Sequence, residues 1–123
     1  VCLPRTHADF LPLLVAASRR MLPFVLMSTD LPDRSRQLQR NSWIMERLRP
    51  SLLVVDEPCE DICPEPSKAA VRRRVAELAI SSNGTLESEP PEATPDATLA
   101  LLFTGGTQRM KVARCTHGML LSE

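Results

Sequence analysis

The sequence has no excess of charge of either sign. Its 123 residues include 15 lysines and arginines and 15 aspartates and glutamates, so the formal net charge at pH 7 is zero. Proteins that bind nucleic acid or an anionic membrane surface through long-range electrostatics carry a basic surplus, which this sequence lacks. The composition therefore predicts no nucleic-acid partner, and an anionic ligand has to be recognised by a local cluster of residues.

Long apolar runs are also missing. The longest run, residues 10–17, is far shorter than the ~18 residues of a membrane-spanning helix, and no charged-then-apolar leader opens the sequence. We therefore expect no membrane span and a soluble, cytoplasmic protein. The hydrophobic content of 43% is ordinary for a globular protein and predicts one domain with one core.

Cysteine is present without a disulfide framework or a clear metal-ligand pattern. The four cysteines are Cys2, Cys59, Cys63 and Cys115. Neither their spacing nor the expected compartment favours any of the three possible disulfide pairings, so we predict free thiols. Cys59 and Cys63 can be drawn as half of a zinc site with His7 or His117, but a second ligand pair at metal spacing is missing. We therefore predict no metal site.

Apolar runs, turn residues and helix caps predict an alternation of strands and helices. The predicted strands are residues 1–3, 23–27, 51–56 and 98–103, and the predicted helices are residues 9–20, 32–49 and 67–80. The strand, helix, strand order of the first half implies a parallel sheet with right-handed crossovers, and hence an α/β fold. Residues 57–66 and 81–97 are predicted to be surface loops, because they are rich in proline and acidic residues.

The predicted helices each carry an apolar face. In the first helix the face consists of Phe10, Leu13, Leu14, Ala17 and Met21. In the second helix it consists of Leu38, Met45 and Leu48, with Ile44 beside them. In the third helix, Arg72, Arg73 and Arg74 are interpreted as a solvated helix face, because three cations are fewer than the runs that indicate nucleic-acid binding.

The strongest functional signal lies in residues 98–117. An apolar strand over residues 99–103 is followed by Thr104, Gly105, Gly106, Thr107, Gln108, Arg109, Met110 and Lys111. Two glycines, two hydroxyls and two cations at the end of a strand allow backbone N–H groups and side-chain donors to converge on an anion. The loop therefore predicts phosphate binding. The alternative interpretation is a glycine turn in a β-hairpin, since residues 112–115 can form a second strand before a helix capped by Thr116.

Two other interpretations of this stretch carry less weight. A Walker-type loop is excluded, because Lys111 is neither preceded by glycine nor followed by serine or threonine. His117, next to Thr116, can be drawn as a general base, but a histidine in the first turn of a helix more often caps or packs. We therefore assign no catalytic residue.

The same stretch resembles the phosphate-binding motif of the AMP-binding, adenylate-forming enzymes, F-T-S-G-T-T-G-x-P-K-G-V-x-x-T-H-x-x-L-L. The matching residues are Phe103, Thr104, Gly106, Thr107, Lys111, Thr116, His117, Leu120 and Leu121. The departures are Gly105 for serine, Gln108 near the second glycine, Met110 for proline, Val112 for glycine, and a loop one residue shorter. An earlier block, from Leu3-Pro4-Arg5 to Pro32, is similar to the family segment that begins V-x-L-P-R-S, and the two blocks keep the family's order.

The resemblance implies a fragment of the large N-terminal domain of an adenylate-forming enzyme, with a partial layered parallel sheet and flanking helices. The parent enzyme would use ATP and Mg²⁺ to activate a carboxylate as an acyl-adenylate, and would pass the acyl group to the thiol of coenzyme A or a carrier protein. The loop residues Thr104, Gly105, Gly106, Thr107, Gln108, Arg109 and Lys111 would bind the nucleotide. Lys111 is one of only two lysines beside 13 arginines, so an ammonium stands where the family has one.

Two rival hypotheses remain open at the level of sequence. The first is a catalytically inactive relative or truncated product that serves as an interaction module, which the shortened loop favours. The second is a small α/β binding domain unrelated to the family, with the loop as an ordinary turn. Under the enzyme hypothesis the chain alone is expected not to complete the reaction, because the resemblance implies that the residues for adenine, ribose and the acyl group lie beyond Glu123.

Overall fold

The computed structural model describes residues 1–66, 70–80, 89, 91–92, 94–104 and 110–122, and within these ranges the chain is mixed α/β. The elements in chain order are α1 (Phe10–Arg19), β1 (Phe24–Val25), α2 (Arg34–Leu48), β2 (Leu52–Val55), a 3₁₀ helix (Glu57–Ile62), β3 (Val71–Arg74), α3 (Val75–Ile80), β4 (Thr98–Thr104), β5 (Lys111–Thr116) and α4 (His117–Leu121). In this part of the chain, none of the helices combines the length and apolar character needed to cross a membrane.

The chain divides into two compact units. The first unit comprises Val1–Phe10 and Met27–Thr85, and the second comprises Leu11–Leu26 and Leu86–Glu123. Each unit has its own small sheet, with strand order β2-β3 in the first and β1-β4-β5 in the second. The assignment of residues 1–123 to one domain of a larger enzyme stays a prediction.

The sheet of the first unit is parallel and is centred on β2. β2 pairs with β3 from Leu52 opposite Val71 to Val55 opposite Arg74. On its other edge Val55 forms a parallel bridge with Cys2, whose N–H donates to the Val54 carbonyl at 2.8 Å. Flanked on both sides, β2 carries the core of the unit, where Val54 is 4% exposed and Val55 is completely buried.

The predicted second helix is confirmed as α2, but with a different buried face. The Asp33 carboxylate caps its first turn by accepting from the N–H groups of Ser35 and Arg36, so the helix begins at Arg34, two residues after the predicted start at Pro32. The buried residues are Gln37, Asn41, Ile44 and Met45. Leu38, predicted to be buried, is 38% exposed. Of these four residues, the predicted apolar stripe contains only Ile44 and Met45. The hydrogen bonds of the Asn41 side chain determine which face of the helix is turned towards the core.

The predicted helix over residues 67–80 is wrong at Val71–Arg74, which forms β3. Only Val75–Ile80 is helical, and residues 67–69 lie outside the described ranges. The arginines therefore belong to a strand rather than to a solvated helix face. The strand forms because its backbone pairs with β2, a contact between segments distant in sequence that the run of three arginines does not signal.

Residues 57–66 also differ from the predicted surface loop. The segment begins with the 3₁₀ helix, whose Cys59 is 3% exposed and whose Ile62 is 1% exposed. These two side chains belong to the core of the first unit, although the surrounding acidic residues face solvent. Most of the second predicted loop, residues 81–97, lies outside the described ranges.

The second unit contains the predicted strands at residues 23–27 and 98–103, as β1 and β4. β4 is the central strand: β1 runs parallel to it, with Phe24 opposite Ala100, and β5 runs antiparallel to it. The parallel pairing of β1 with β4 agrees with the prediction, and the antiparallel β5 agrees with the hairpin alternative. The prediction of one parallel layer is wrong in that β1 and β2 belong to different sheets. The predicted cap of the last helix is confirmed, since the Thr116 side chain accepts from the Met119 N–H at 3.3 Å.

Candidate functional site

The predicted phosphate loop connects the two antiparallel strands β4 and β5. Thr104, the last residue of β4, is the Cα partner of Lys111, the first residue of β5. The hairpin topology predicted as the alternative is therefore present, and a hairpin does not by itself exclude phosphate binding. The site residues Gly105, Gly106, Thr107, Gln108 and Arg109, and the side chain of Thr104, lie outside what the structure describes.

The loop leaves the sheet at an edge where ligands commonly bind. β1 and β4 are parallel, so the carboxyl end of β4, at Thr104, lies at the same edge as the carboxyl end of β1. In α/β sheets, ligands bind in the crevice outside the carboxyl ends of parallel strands. The backbone N–H and C=O groups of the loops there are not paired within the sheet and can contact a ligand. The position of the loop in the fold is thus compatible with the predicted nucleotide site.

Lys111 places an exposed cation at the start of β5. Its side chain is exposed, and within the described ranges no carboxylate forms an ion pair with it. The other cation of this strand is differently placed: the Arg114 guanidinium donates to the Asp96 carbonyl at 2.8 Å. Because residues three apart on a strand point to opposite faces, Arg114 does not share the face of Lys111. Lys111 is therefore the strand's cation available to an anion at the loop.

The hairpin is apolar and uncovered on both faces close to the loop. Leu102 is opposite Ala113 on one face, and Phe103 is opposite Val112 on the other. Leu102 remains 40% exposed and Val112 remains 44% exposed. Farther from the loop the same strand is packed, since Ala100 is only 4% exposed. The end of the hairpin that carries the loop therefore extends beyond the packed part of β4.

His117 does not belong to the loop end of the hairpin. It follows β5, while Lys111 begins it, and six steps of about 3.4 Å each separate the two by roughly 20 Å along the strand. Its side chain is 7% exposed, and Nε2 has no hydrogen-bond partner among the described residues. The N–H of His117 donates to the Ala97 carbonyl at 3.0 Å. The structure therefore places this histidine in a packing position.

A histidine and an aspartate meet in the first unit, which the sequence did not reveal. His7 Nε2 lies 3.5 Å from Asp56 Oδ2, and His7 Nδ1 accepts the Asp9 N–H at 3.1 Å. The accepting Nδ1 assigns the ring proton to Nε2, which faces Asp56. Asp56 directly follows β2, and His7 follows the segment bridged to it, so the pair lies at the carboxyl ends of neighbouring parallel segments. The signal available in the sequence was Asp56, a polar residue directly after a predicted strand.

The cysteines are free thiols, as predicted, and three of them are buried in the first unit. Cys2, Cys59 and Cys63 are respectively 0%, 3% and 5% exposed. The burial of Cys2 beside β2 was not predicted, because it depends on the bridge to Val55. Within the described ranges, no group of three or more histidine, cysteine, aspartate or glutamate side chains is arranged to hold a metal ion.

Comparison with known proteins found no match for this chain. No protein-family model matches the sequence, no curated protein matches it, and no solved structure matches the fold. The similarity to adenylate-forming enzymes therefore rests on the two blocks of sequence, and the assignment of a ligand rests on the position of the hairpin and the exposed cation at its end.

Proposed function

We propose that the β4–β5 hairpin is the phosphate-binding element of an ATP-dependent adenylate-forming enzyme. Such an enzyme activates a carboxylate as an acyl-adenylate and transfers the acyl group to the thiol of coenzyme A or a carrier protein. One observation carries the proposal: Thr104 and Lys111 are paired at the carboxyl end of the central strand, where the exposed Lys111 ammonium has no ion-pair partner in the described part of the chain. The similarity of the motif to that of the adenylate-forming enzymes is the reason for proposing ATP rather than another phosphate ligand.

The proposed role of the loop is to position and neutralise the phosphate chain. The Lys111 ammonium would lie against the β- and γ-phosphates, and the hydroxyls of Thr104 and Thr107 would donate to their oxygens. The substrate carboxylate then attacks the α-phosphorus, the bond to the bridging oxygen breaks, and pyrophosphate leaves with its charge held by these donors. Mg²⁺ would be bound mainly through the phosphates of ATP, and we assign it no protein ligand.

Two measurements on the full-length protein test the proposal. Titration calorimetry measures ATP binding, and carboxylate-dependent exchange of labelled pyrophosphate into ATP measures adenylate formation. We expect ATP to bind with a stoichiometry of one and exchange to require a carboxylate, which a small library of fatty, aromatic and amino acids would identify. Absence of ATP binding would show that the shortened loop does not hold a nucleotide.

An interaction module is the second candidate function, and the uncovered apolar hairpin favours it. Leu102 and Val112 expose apolar surface on opposite faces of the hairpin, an arrangement that suits insertion between two layers of another protein segment. The two candidates differ in one observable. An adenylate-forming enzyme binds ATP whether or not these side chains are changed to serine, whereas an interaction module binds no ATP and loses its partner when they are changed.

A further inference from the structure

The first helix, α1, is apolar on all sides. Its ten residues include no charge before Arg19, and none of them is buried. One side of the helix is half-buried and consists of Phe10, Leu13, Leu14, Ala17 and Ser18. The other side, which we call the outer face, is exposed and consists of Leu11, Pro12, Val15, Ala16 and Arg19. The proposed nucleotide chemistry uses none of these residues.

The outer face exposes more apolar surface than a solvated helix face does. Leu11 is 66% exposed, and Val15, one helical turn later, is 49% exposed. A helix at the surface of a globular protein ordinarily carries polar residues on its solvent side, whereas a helix that is apolar all round is ordinarily covered on all sides. The outer face therefore has the composition of a surface that contacts another protein segment.

Opposite charges lie at the two ends of this helix. Arg19 is in its last turn, eight residues after Leu11 and therefore on the same side. In the described part of the chain, no carboxylate forms an ion pair with Arg19. Asp9 directly precedes the helix, and its side chain is 56% exposed, with Nδ1 of His7 3.9 Å from the carboxylate. A face with an anion at one end and a cation at the other is complementary to a second copy of itself that runs in the opposite direction.

We propose that two copies of this chain associate through the outer faces of α1, packed antiparallel about a twofold axis. The four exposed apolar residues are centred between positions 13 and 14. An axis at that level pairs Leu11 with Ala16 of the second copy, and Pro12 with Val15 of the second copy. Each pair sets a larger side chain against a smaller or more compact one, which lets the two helices approach closely.

The same axis brings the charges together at both ends of the contact. Arg19 of one copy lies level with Ala8 of the other, which is one residue, or about 1.5 Å along the helix axis, from Asp9. The arginine side chain is long enough to reach that carboxylate. Two symmetry-related ion pairs therefore flank the apolar centre. A parallel arrangement would place Arg19 beside Arg19 and is disfavoured by the repulsion between them.

A contact of this size supports a weak, reversible dimer. One face of a ten-residue helix buries less than the ~1,200 Å² at which stable interfaces begin. We therefore expect a dissociation constant on the order of 100 µM.

Sedimentation equilibrium of the chain, from about 10 µM to about 1 mM, measures the association. The double variant Leu11→Ser, Val15→Ser removes the apolar centre of the contact and should weaken the association at least ~10-fold. The matched control is Met119→Ser, Leu120→Ser, which removes two exposed apolar side chains from α4 and should leave the association unchanged. Circular dichroism of each variant shows whether the secondary structure is retained.

Charge reversal tests the antiparallel arrangement. Arg19→Asp and Asp9→Arg each place like charges at both ends of a homodimer, so each variant alone should associate at least ~10-fold more weakly than the parent. An equimolar mixture of the two variants restores opposite charges at both ends. The mixture should therefore associate with an affinity within a factor of ~3 of the parent affinity.

A parent chain that stays monomeric at the highest concentration would overturn the proposal and assign the outer face to a different protein segment. A dimer that the Leu11→Ser, Val15→Ser variant does not weaken would also overturn it. So would charge variants that do not associate on mixing although their circular dichroism is that of the parent.

Discussion

The Asn41 side chain pairs with both backbone groups of Ser28. Its Oδ1 accepts the Ser28 N–H at 2.9 Å, and its Nδ2 donates to the Ser28 carbonyl at 3.0 Å. The same Nδ2 donates to the Ile62 carbonyl at 2.8 Å. One buried amide thus joins α2 to the chain after β1 and to the 3₁₀ helix. It satisfies three backbone groups that have no ladder partner.

We expect Asn41→Ala to lower the free energy of unfolding by about 3 kcal/mol, because it removes three hydrogen bonds and leaves buried backbone groups unpaired. Urea unfolding followed by circular dichroism measures the change. Gln39→Ala, an exposed substitution in the same helix, is the control and should change the stability by no more than about 0.5 kcal/mol. Equal effects of the two substitutions would show that the Asn41 bonds do not contribute.

Replacing the amide of Gln37 should stabilise the protein, in contrast to replacing that of Asn41. It lies one helical turn before Asn41 and is completely buried, yet neither its amide nitrogen nor its amide oxygen has a hydrogen-bond partner in the described part of the protein. Gln37→Met keeps the length of the side chain and removes the unpaired amide, so the free energy of unfolding should rise by about 1 kcal/mol. Gln37→Glu should lower it, because a charge replaces the amide. A destabilising Gln37→Met would indicate that a buried water pairs with the amide.

Gly118 is in close contact with the chain before β4. A Cβ at this position would lie 3.0 Å from the Pro95 carbonyl oxygen and 3.1 Å from the Pro95 Cβ, and that oxygen accepts the Gly118 N–H at 2.8 Å. In an open helix, glycine to alanine stabilises by up to about 1 kcal/mol. Here we expect Gly118→Ala to destabilise by about 1 kcal/mol, since the contact must open.

Thermal unfolding shows whether Gly118→Ala lowers or raises the stability of the protein. Met119→Ala, at the next and exposed position of α4, is the matched control and should leave the melting temperature within experimental error. A higher melting temperature for Gly118→Ala would show that the Pro95 turn moves aside without cost.

Lys111 should dominate the proposed nucleotide chemistry. In the full-length protein, Lys111→Ala removes the only exposed ammonium at the described end of the hairpin. It should reduce carboxylate-dependent pyrophosphate exchange by roughly 10²–10³-fold, the effect of losing one transition-state donor. Lys111→Arg should recover part of the rate, because a planar guanidinium keeps the charge but fits a short loop less well.

Arg114→Ala is the control for Lys111, since it removes a cation from the opposite face of the same strand. Its exchange rate should remain within a factor of a few of the parent rate. If the parent protein exchanges pyrophosphate and Lys111→Ala has no effect, the loop is not the phosphate site. If Arg114→Ala is as damaging as Lys111→Ala, the effect reflects hairpin stability.

Some elements could be predicted from short stretches of the sequence. The start of α1 after Asp9, the strand β2, the strand β4 and the Thr116 cap of α4 follow from apolar runs, proline positions and capping side chains within a few residues of each element. The physics of these features is short-range, so the sequence around them carries the information. The proposed phosphate loop was predicted from the same kind of signal, an abrupt change from apolar residues to glycine and hydroxyl residues.

The features that the sequence alone did not determine depend on contacts between distant segments. Val71–Arg74 becomes a strand because β2 offers an unpaired edge, and Gln37 rather than Leu38 is buried because Asn41 binds Ser28 and Ile62. Cys2 is completely buried beside β2 because it forms a parallel bridge with Val55. The sequence by itself determined the helix starts, caps and apolar strands that depend on interactions between neighbouring residues. Only the tertiary structure decided which polar groups meet, because their energies depend on partners brought near by packing.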